Sequence, residues 1–335
     1  MPGSWKLGIV MFFFAGTALA QTQDEQLAAI RILLQNGHND AAISRLEEIA
    51  VRQPALPGLQ RLLGLAYYAR ADYLTAIDHL NLALRQNQHD RDAAQLLGLA
   101  YYLTGRPTEA IPYLLQSEPR ANEHPVDAAY TLALCYALSH QHDQALHVLS
   151  KLYELRPDSP AAHLIFAKTM LLQGLDSVAE REARSVLQMV PAMPNAHLVL
   201  GQTALYRGDL PEATDEFRAE LELDPANARA LVRLGEAHSR AGRWSDAQVV
   251  VQRSISLDPT SPESYILLCK ILLHNRDFVQ AQRAAQRAAT IDSRDYTAHY
   301  LLSEAYLQMG QSELARHEMQ IAVRLEQQRA ASKNR

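Results

Sequence analysis

The chain carries the sequence Leu63-Gly64-Leu65-Ala66-Tyr67-Tyr68 and repeats it, 34 residues later, as Leu97-Gly98-Leu99-Ala100-Tyr101-Tyr102. Outward from this pair, an alanine keeps the same step along most of the 335 residues. It stands at Ala42, Ala76, Ala110, Ala145, Ala179, Ala213, Ala247, Ala281 and Ala315, with a single step of 35 residues after Ala110. A period between about 20 and 50 residues is typical of solenoids and other repeat arrays. The sequence therefore predicts nine copies of one structural unit.

Three further columns keep this register: a small residue twelve positions before the alanine, a glycine five before it, and a proline twelve after it. Their members are Ile30 (the one large exception), Gly64, Gly98, Ala133, Ala167, Gly201, Gly235, Cys269 and Ser303; Gly37, Gly105, Gly174, Gly208, Gly242 and Gly310; and Pro54, Pro157, Pro191, Pro225 and Pro259. On these columns the chain resembles the tetratricopeptide repeat (TPR) family over about residues 23–329. The resemblance implies an all-α fold, a right-handed superhelical solenoid of about nine helix-turn-helix units, each with a helix A followed by a helix B.

The residue types suit two antiparallel helices. Spacings of three and four residues place apolar side chains on one face of each helix; the expected stripes are Leu59, Leu62, Leu63, Ala66 and Tyr67 in A, and Ala76, Leu80, Ala83 and Leu84 in B. The glycine is expected at the turn between A and B, because it adopts a positive φ without strain. The proline ends helix B, since it cannot continue the hydrogen-bond ladder. Ser159-Pro160 and Ser261-Pro262 are expected to begin the next helix A as cap and first residue.

The first 20 residues have the features of a secretory signal peptide. Lys6 supplies the positive charge, an apolar run follows, and Ala18-Leu19-Ala20 matches a cleavage site. The apolar run is shorter than the ~20 residues needed to span a bilayer. The alternative is an apolar helix that caps the solenoid, but residues 22–25 already have the form of a helix start. We therefore expect a mature chain from Gln21, exported to the periplasm or secreted, without stable membrane insertion.

The one 35-residue step marks an irregular region. Pro107, Pro112 and residues 117–125 predict a short or kinked helix B and a longer connection. A functional hinge and a drifted repeat held by its neighbours both remain open. The predicted organisation is a signal peptide at 1–20, repeats 1–3 at 23–124, repeats 4–9 at 126–329 and a flexible tail at 330–335.

Charge and motifs exclude several functions. Without Lys6 the chain has 31 basic and 37 acidic residues, a net charge of −6, which argues against nucleic acid as a partner. Catalytic motifs such as G-x-S-x-G or H-E-x-x-H are absent from the sequence, so we predict neither an enzyme nor a cofactor or small-molecule substrate. His140, His142 and Asp143 are the one tight cluster of metal-type ligands, but polar residues are expected at that turn in any case. No metal site is predicted.

Two other sets of residues are expected to be structural. Cys135 and Cys269 fall four repeats apart in helix A, and we expect them to be small buried residues rather than a disulfide. Glu216, Glu220 and Glu222 lie at helical spacing and are expected to form a solvated face.

In TPR proteins the A helices line a concave groove where ligands bind, and the resemblance carries that role to a set of positions here. In the first half of the chain these are Arg31, Leu65, Tyr68, Leu99, Tyr102, Tyr130 and Leu134. Such a lining suits an amphipathic helix or an extended apolar peptide, although the same residues also pack along TPR cores. In the second half the positions are Lys168, Gln202, Glu236, Lys270 and Glu304, with Arg229, Arg233 and Arg240 on one face of the seventh helix A.

The three arginines have two interpretations. They resemble part of the carboxylate clamp of some co-chaperones, but Leu164 and Val199 stand where that clamp needs a basic residue and an asparagine. Arginines that bind an acidic segment of a partner, or that pair locally with Glu236 and Glu263, are the two possibilities left.

The sequence thus favours a non-catalytic scaffold outside the cytoplasm that binds peptide segments of partner proteins along the groove. The alternative is a structural subunit of an envelope, secretion or assembly complex that uses its convex face and the ends of the array. An enzyme or an enzyme-recruiting arm is disfavoured, because nothing beyond the repeats is long enough for a catalytic domain.

Overall fold

The computed structural model describes residues 26–117 and 126–333, and all the regular structure in those ranges is α-helical. The helices are α1 (26–35), α2 (Asn39–Arg52), α3 (Leu59–Ala69), α4 (Tyr73–Gln86), α5 (Arg91–Leu103), α6 (Pro107–Gln116), α7 (Val126–Leu138), α8 (His142–Leu152), α9 (Pro160–Leu172), α10 (Asp176–Met189), α11 (Ala196–Arg207), α12 (Leu210–Leu223), α13 (Ala228–Arg240), α14 (Trp244–Leu257), α15 (Pro262–His274), α16 (Phe278–Ile291), α17 (Tyr296–Gln308) and α18 (Ser312–Lys333). Odd numbers are A helices and even numbers are B helices. The predicted all-α class and helix pairs are confirmed, while the signal peptide and residues 118–125 lie outside the described ranges.

The chain divides into two compact units, one up to Val148 and one from Leu149 onward. In each, consecutive helices pack against one another and every A helix also touches the next A helix of its unit for which contacts are described. The predicted stripes lie in the core of the first unit: Leu59, Leu62, Leu63, Ala66, Tyr67, Ala76, Leu80 and Ala83 are buried, and Leu84 packs against them. Burial of apolar surface between neighbouring helices therefore stabilises each unit, as expected for a repeat array.

Within a repeat, helices A and B interlock through a size-matched pair 16 residues apart. A Cβ added to Gly201 would lie 2.5 Å from ring atoms of Phe217, and one added to Gly64 would lie 2.5 Å from Leu80 Cγ. Real Cβ atoms do not approach other heavy atoms so closely, so the glycine makes room for the large side chain of helix B. Where helix A has the larger Cys269, helix B has Ala285 in the equivalent place.

All nine turns between A and B contain a residue with positive φ. Six are the predicted glycines, Gly37, Gly105, Gly174, Gly208, Gly242 and Gly310, and the other three are Ala71, His140 and Arg276. The prediction for the glycines is confirmed. The turn geometry is thus kept even where the sequence has a side chain, because the packing of the two helices determines the turn.

Replacing Arg276 with glycine is expected to raise the free energy of unfolding by about 1 kcal/mol, since a left-handed backbone strains residues that have a Cβ. The reverse change, Gly208→Ala, should lower it by about the same amount, because a Cβ there meets no atom within 4 Å and the effect comes from the backbone alone. Urea unfolding of both variants checks the pair. A loss of stability in Arg276→Gly would contradict the prediction.

His238 lies buried in α13 at the repeat position where other repeats have Tyr67, Tyr101 and Tyr306. Burial lowers the pKa of His238, and the positive charge of Arg243 lowers it further. Below the ordinary histidine pKa of about 6.5 the unfolded chain therefore gains a proton that the folded chain does not.

The stability linked to neutral His238 is thus present above about pH 6.5 and is lost as the pH falls. We expect the free energy of unfolding to drop more between about pH 7.5 and pH 5.5 in the wild type than in His238→Tyr, because only histidine titrates in that window. Denaturant unfolding at the two pH values measures both drops. Equal drops in the two proteins would contradict the assignment.

Helix ends and irregular helices mostly follow the sequence. Ser159 and Ser261 cap α9 and α15 by accepting backbone N–H groups, and each is followed by proline at the first helical position, as predicted. Helix α6 has only 10 residues and contains Pro112, which confirms a short third helix B. Helix α18 has 22 residues and ends at Lys333. Residues 330–333 therefore continue the helix, where the sequence predicted a tail.

Cys135 and Cys269 are both buried and free, as predicted for structural residues of helix A. Burial raises the pKa of each thiol to about 12. Since the thiolate is the reactive form of cysteine, neither is suited to nucleophilic chemistry.

Candidate functional site

The candidate site is the surface that the A helices present. We call the predicted groove residues the A-helix face: Arg31, Leu65, Tyr68, Leu99, Tyr102, Tyr130, Leu134, Lys168, Gln202, Arg229, Arg233, Glu236, Arg240, Lys270 and Glu304. Arg31, Arg229, Arg240 and Lys270 are exposed, whereas Leu134 and Gln202 are buried and the remaining members are half-buried. The A-helix face is therefore not uniformly accessible.

In the first unit, the apolar members of this face are shared between core and surface. Leu65, Leu99, Tyr68 and Tyr102 are half-buried and pack against the core. Tyr68 also meets Tyr73 edge to face, with ring centroids 5.5 Å apart. Burial raises the pKa of Tyr102, so its hydroxyl stays protonated at physiological pH. These side chains have structural roles and expose only part of their surface.

Four apolar side chains that the sequence analysis missed are more exposed than any of these. Leu103, Leu138, Leu172 and Tyr206 hold one position, the fifth residue after the small residue of helix A, in four successive repeats. Leu172 is 74% exposed and Tyr206 is 53% exposed. We call these four residues the exposed apolar column. Their recurrence at one repeat position was visible in the sequence and could have identified them.

In the second unit the column continues with a charged residue, and the arginines of the A-helix face are paired. Arg233 Nη1 lies 2.8 Å from Glu236, and its Nη2 lies 2.6 Å from Glu263. Arg240 binds the other oxygen of Glu236. Of the two interpretations of these arginines, local pairing is therefore correct for Arg233 and Arg240. Arg229 has no ion pair with any described residue.

A cleft opens on this face between α13, α15 and α17. Its volume is about 420 Å³, and its lining combines the apolar side chains Val232, Ile266 and Leu267 with the charged side chains Arg233, Glu263 and Lys270. Asp295, at one edge, accepts the N–H of Thr297 and caps α17. The cleft has the mixed character of a surface that holds an apolar side chain and discriminates among its neighbours by charge.

Two family models match these repeats. The model for the tetratricopeptide repeat matches residues 27–90, 61–125 and 198–262. The model for subunit 3 of the anaphase-promoting complex, or cyclosome, matches residues 114–179 and 240–320. Together these ranges contain all nine alanines of the 34-residue column. The chain belongs to the tetratricopeptide repeat family. TPR proteins mediate protein–protein interactions, and members of the family are typically non-catalytic scaffolds.

Several solved TPR structures are similar to this chain. MamA from Desulfovibrio magneticus RS-1 is 19% identical, with 51% of this chain and 97% of MamA covered and a TM-score of 0.45. TTC0263, a TPR protein from Thermus thermophilus, is 20% identical, with 54% and 98% covered and a TM-score of 0.44. The Cut9–Hcn1 hetero-tetramer of the anaphase-promoting complex gives 17% identity, 86% and 56% coverage and a TM-score of 0.45. No curated protein matches in sequence. Likenesses at this level do not indicate what this TPR protein binds.

Neither a metal centre nor a membrane span is evident in the described ranges. No group of three His, Cys, Asp or Glu side chains among residues 26–117 and 126–333 is arranged to hold a metal ion. His140 and His142 contact each other edge to face, with ring centroids 6.1 Å apart. No helix in the described part of this TPR protein is long and apolar enough to cross a bilayer.

Proposed function

We propose that this TPR protein is a non-catalytic scaffold outside the cytoplasm and that it binds segments of partner proteins on its A helices. The exposed apolar column carries the proposal. Water-exposed leucine and tyrosine at one repeat position in four successive repeats is costly for a protein that stays alone, and such surfaces mark interaction sites. Apolar and aromatic side chains in this arrangement suit an amphipathic or extended partner segment.

Sequence features support the location. Residues 1–20 have the charge, apolar run and cleavage pattern of a secretory signal. The intact mass of the protein recovered from the envelope or medium of its own cells tests this part. A chain that begins at Gln21 is expected, and a cytoplasmic chain that retains residues 1–20 would contradict export.

Binding is tested by photo-crosslinking. A photoreactive phenylalanine analogue at position 206 should capture a partner, and the same analogue at Val249 should not. Val249 is a matched control because it is also exposed and apolar (67%) but lies on helix B. The captured protein should also be lost from pull-downs with Leu172→Ser and Tyr206→Ser, and retained with Val249→Ser.

The opposite pattern would favour the alternative function, a structural subunit that uses its B helices and array ends. One observation supports keeping that alternative: Leu314, Met319 and Val323 of the last helix are exposed. Met319 holds the position that Leu80, Phe217 and Val251 bury in other repeats. Loss of a partner in Val249→Ser or Met319→Ser, but not in Tyr206→Ser, would replace the proposed binding surface with this one.

A further inference from the structure

Lys168 is a half-buried cation with no counter-charge of its own. It lies on α9, in the A-helix face, and its ammonium group has neither an ion pair nor a hydrogen bond with any described residue. Burial lowers the pKa of Lys168, and the positive charge of Arg229 lowers it further. Removing an ammonium group from water without a partner is unfavourable. The folded protein therefore holds a charge at this place that it does not compensate.

Arg229 is the second uncompensated cation of this cluster. It lies in the first turn of α13, two repeats beyond Lys168, and is exposed. The repulsion between the two groups shows that they are near each other. Most other arginines of the second unit that face an A helix have an acidic partner, as Arg233 and Arg240 do.

The nearest acid is already in use. Glu220 attracts Lys168, but its oxygens are buried and accept other hydrogens. One oxygen accepts the backbone N–H of Asn195 at 2.8 Å and the side-chain amide of Asn227 at 3.2 Å, and the other accepts the N–H of Leu198 at 3.2 Å. Glu220 therefore neutralises the start of α11 and leaves Lys168 and Arg229 as net positive charge.

A third polar group stands beside the two cations. Gln202 occupies the position on α11 that Lys168 occupies on α9, and these helices pack side by side. Its side-chain amide makes no hydrogen bond with the described residues, although the residue is buried. It can therefore donate to a ligand atom held between α9 and α13.

We propose that Lys168 and Arg229 bind a carboxylate of the partner segment, with Gln202 as an additional donor. The inference rests on the proposed function, because it assigns a chemical group to the segment that the A helices hold. A guanidinium binds a carboxylate through two parallel hydrogen bonds, and an ammonium adds a point charge. The net charge of −6 on the mature chain opposes a polyanion such as nucleic acid, so a single carboxylate is the ligand that this site fits.

The first test is the stability of the free protein. Because Lys168 is partly desolvated and unpaired, Lys168→Met should raise the midpoint of urea unfolding while it removes ligand binding. A lysine with a purely structural role would give the opposite change in the midpoint. A lower midpoint for Lys168→Met would therefore overturn the proposal.

The second test is binding of short peptides, followed by NMR shifts of the full mature chain. Acetyl-Ala-Glu-Ala-amide offers only a side-chain carboxylate, acetyl-Ala-Ala-Ala only a terminal one, and acetyl-Ala-Ala-Ala-amide neither. At least one of the first two should shift the Lys168 side-chain resonances, and the amide should not. Lys168→Met and Arg229→Gln should each weaken that binding by about tenfold.

Arg287→Gln is the matched control, since Arg287 is an exposed cation on a B helix without an ion pair to any described residue. It should leave peptide binding unchanged. Equal weakening in Arg287→Gln, or equal shifts with the neutral amide, would show unspecific attraction and overturn the site. If the carboxylate response fails while Tyr206→Ser still loses its crosslinked partner, the site is wrong and the proposed function stands.

Discussion

Replacing Phe217 with alanine is expected to lower the free energy of unfolding by about 3–5 kcal/mol, because its ring is fully buried and its loss leaves a cavity. The facing residue should be equally sensitive. Gly201→Ala places a Cβ about 2.5 Å from the ring, and the ring has no solvent side to move toward. Overpacking of this kind costs about 1–3 kcal/mol.

The two substitutions should be coupled. In the Phe217→Ala background the extra methyl group of Gly201→Ala fills space, and alanine gains about 1 kcal/mol of helix propensity over glycine. The effect of Gly201→Ala is therefore expected to change sign, from destabilising in the wild type to stabilising in Phe217→Ala.

Urea unfolding of the four proteins of this double-mutant cycle measures the coupling. A Val251→Ala background is the matched control, because it creates a cavity against Gly235 of the next repeat and leaves the contact between Gly201 and Phe217 intact. In that background Gly201→Ala should keep its full cost. The same cost in all three backgrounds would mean that the repeats do not interlock through these pairs.

The fold could be predicted because each column of the repeat answers one steric requirement. A glycine at the turn, a small residue in helix A and an alanine in helix B are visible one position at a time. The size matching was also present in the sequence: a large side chain follows Gly64, Gly201 and Gly235 after 16 residues, and an alanine follows Cys269. It was missed because the columns were compared down the repeats and not with each other.

The candidate site could be predicted less well, because exposure depends on neighbouring side chains. Leu134 and Gln202 hold the same repeat position as the exposed Lys270, yet both are buried. The partners of Arg233 were correctly expected as one of two alternatives. The isolation of Lys168 could not be seen, since it depends on where Glu220 directs its oxygens.

Glu220 is also the place where the sequence prediction was wrong. Helical spacing put it on a solvated face with Glu216 and Glu222, whereas it is completely buried. The reason lies in the next element in space. Helix α11 begins after Asn195, which has a φ of 68° and provides no side-chain cap. Its free N–H groups point at Glu220, and an anion at a helix N-terminus is favourable.

Glu220→Ala is therefore expected to lower the free energy of unfolding by roughly 3 kcal/mol, because each buried donor left without an acceptor costs about 1–3 kcal/mol. The donors left behind are the N–H groups of Asn195 and Leu198 and the amide of Asn227. Denaturant unfolding measures the loss. Hydrogen exchange should locate it, with faster exchange of the Leu198 amide than in the wild type.

Two variants on the same helix make the comparison specific. Glu222 is exposed, so Glu222→Ala should change stability by less than about 0.5 kcal/mol. Glu220→Gln keeps the shape and one acceptor oxygen, but it turns the other oxygen into a donor that faces donors already present. Its cost should therefore lie between those of the two alanine variants. If Glu220→Gln were as stable as the wild type, the charge of Glu220 would contribute nothing to the start of α11, and this account of its burial would fail.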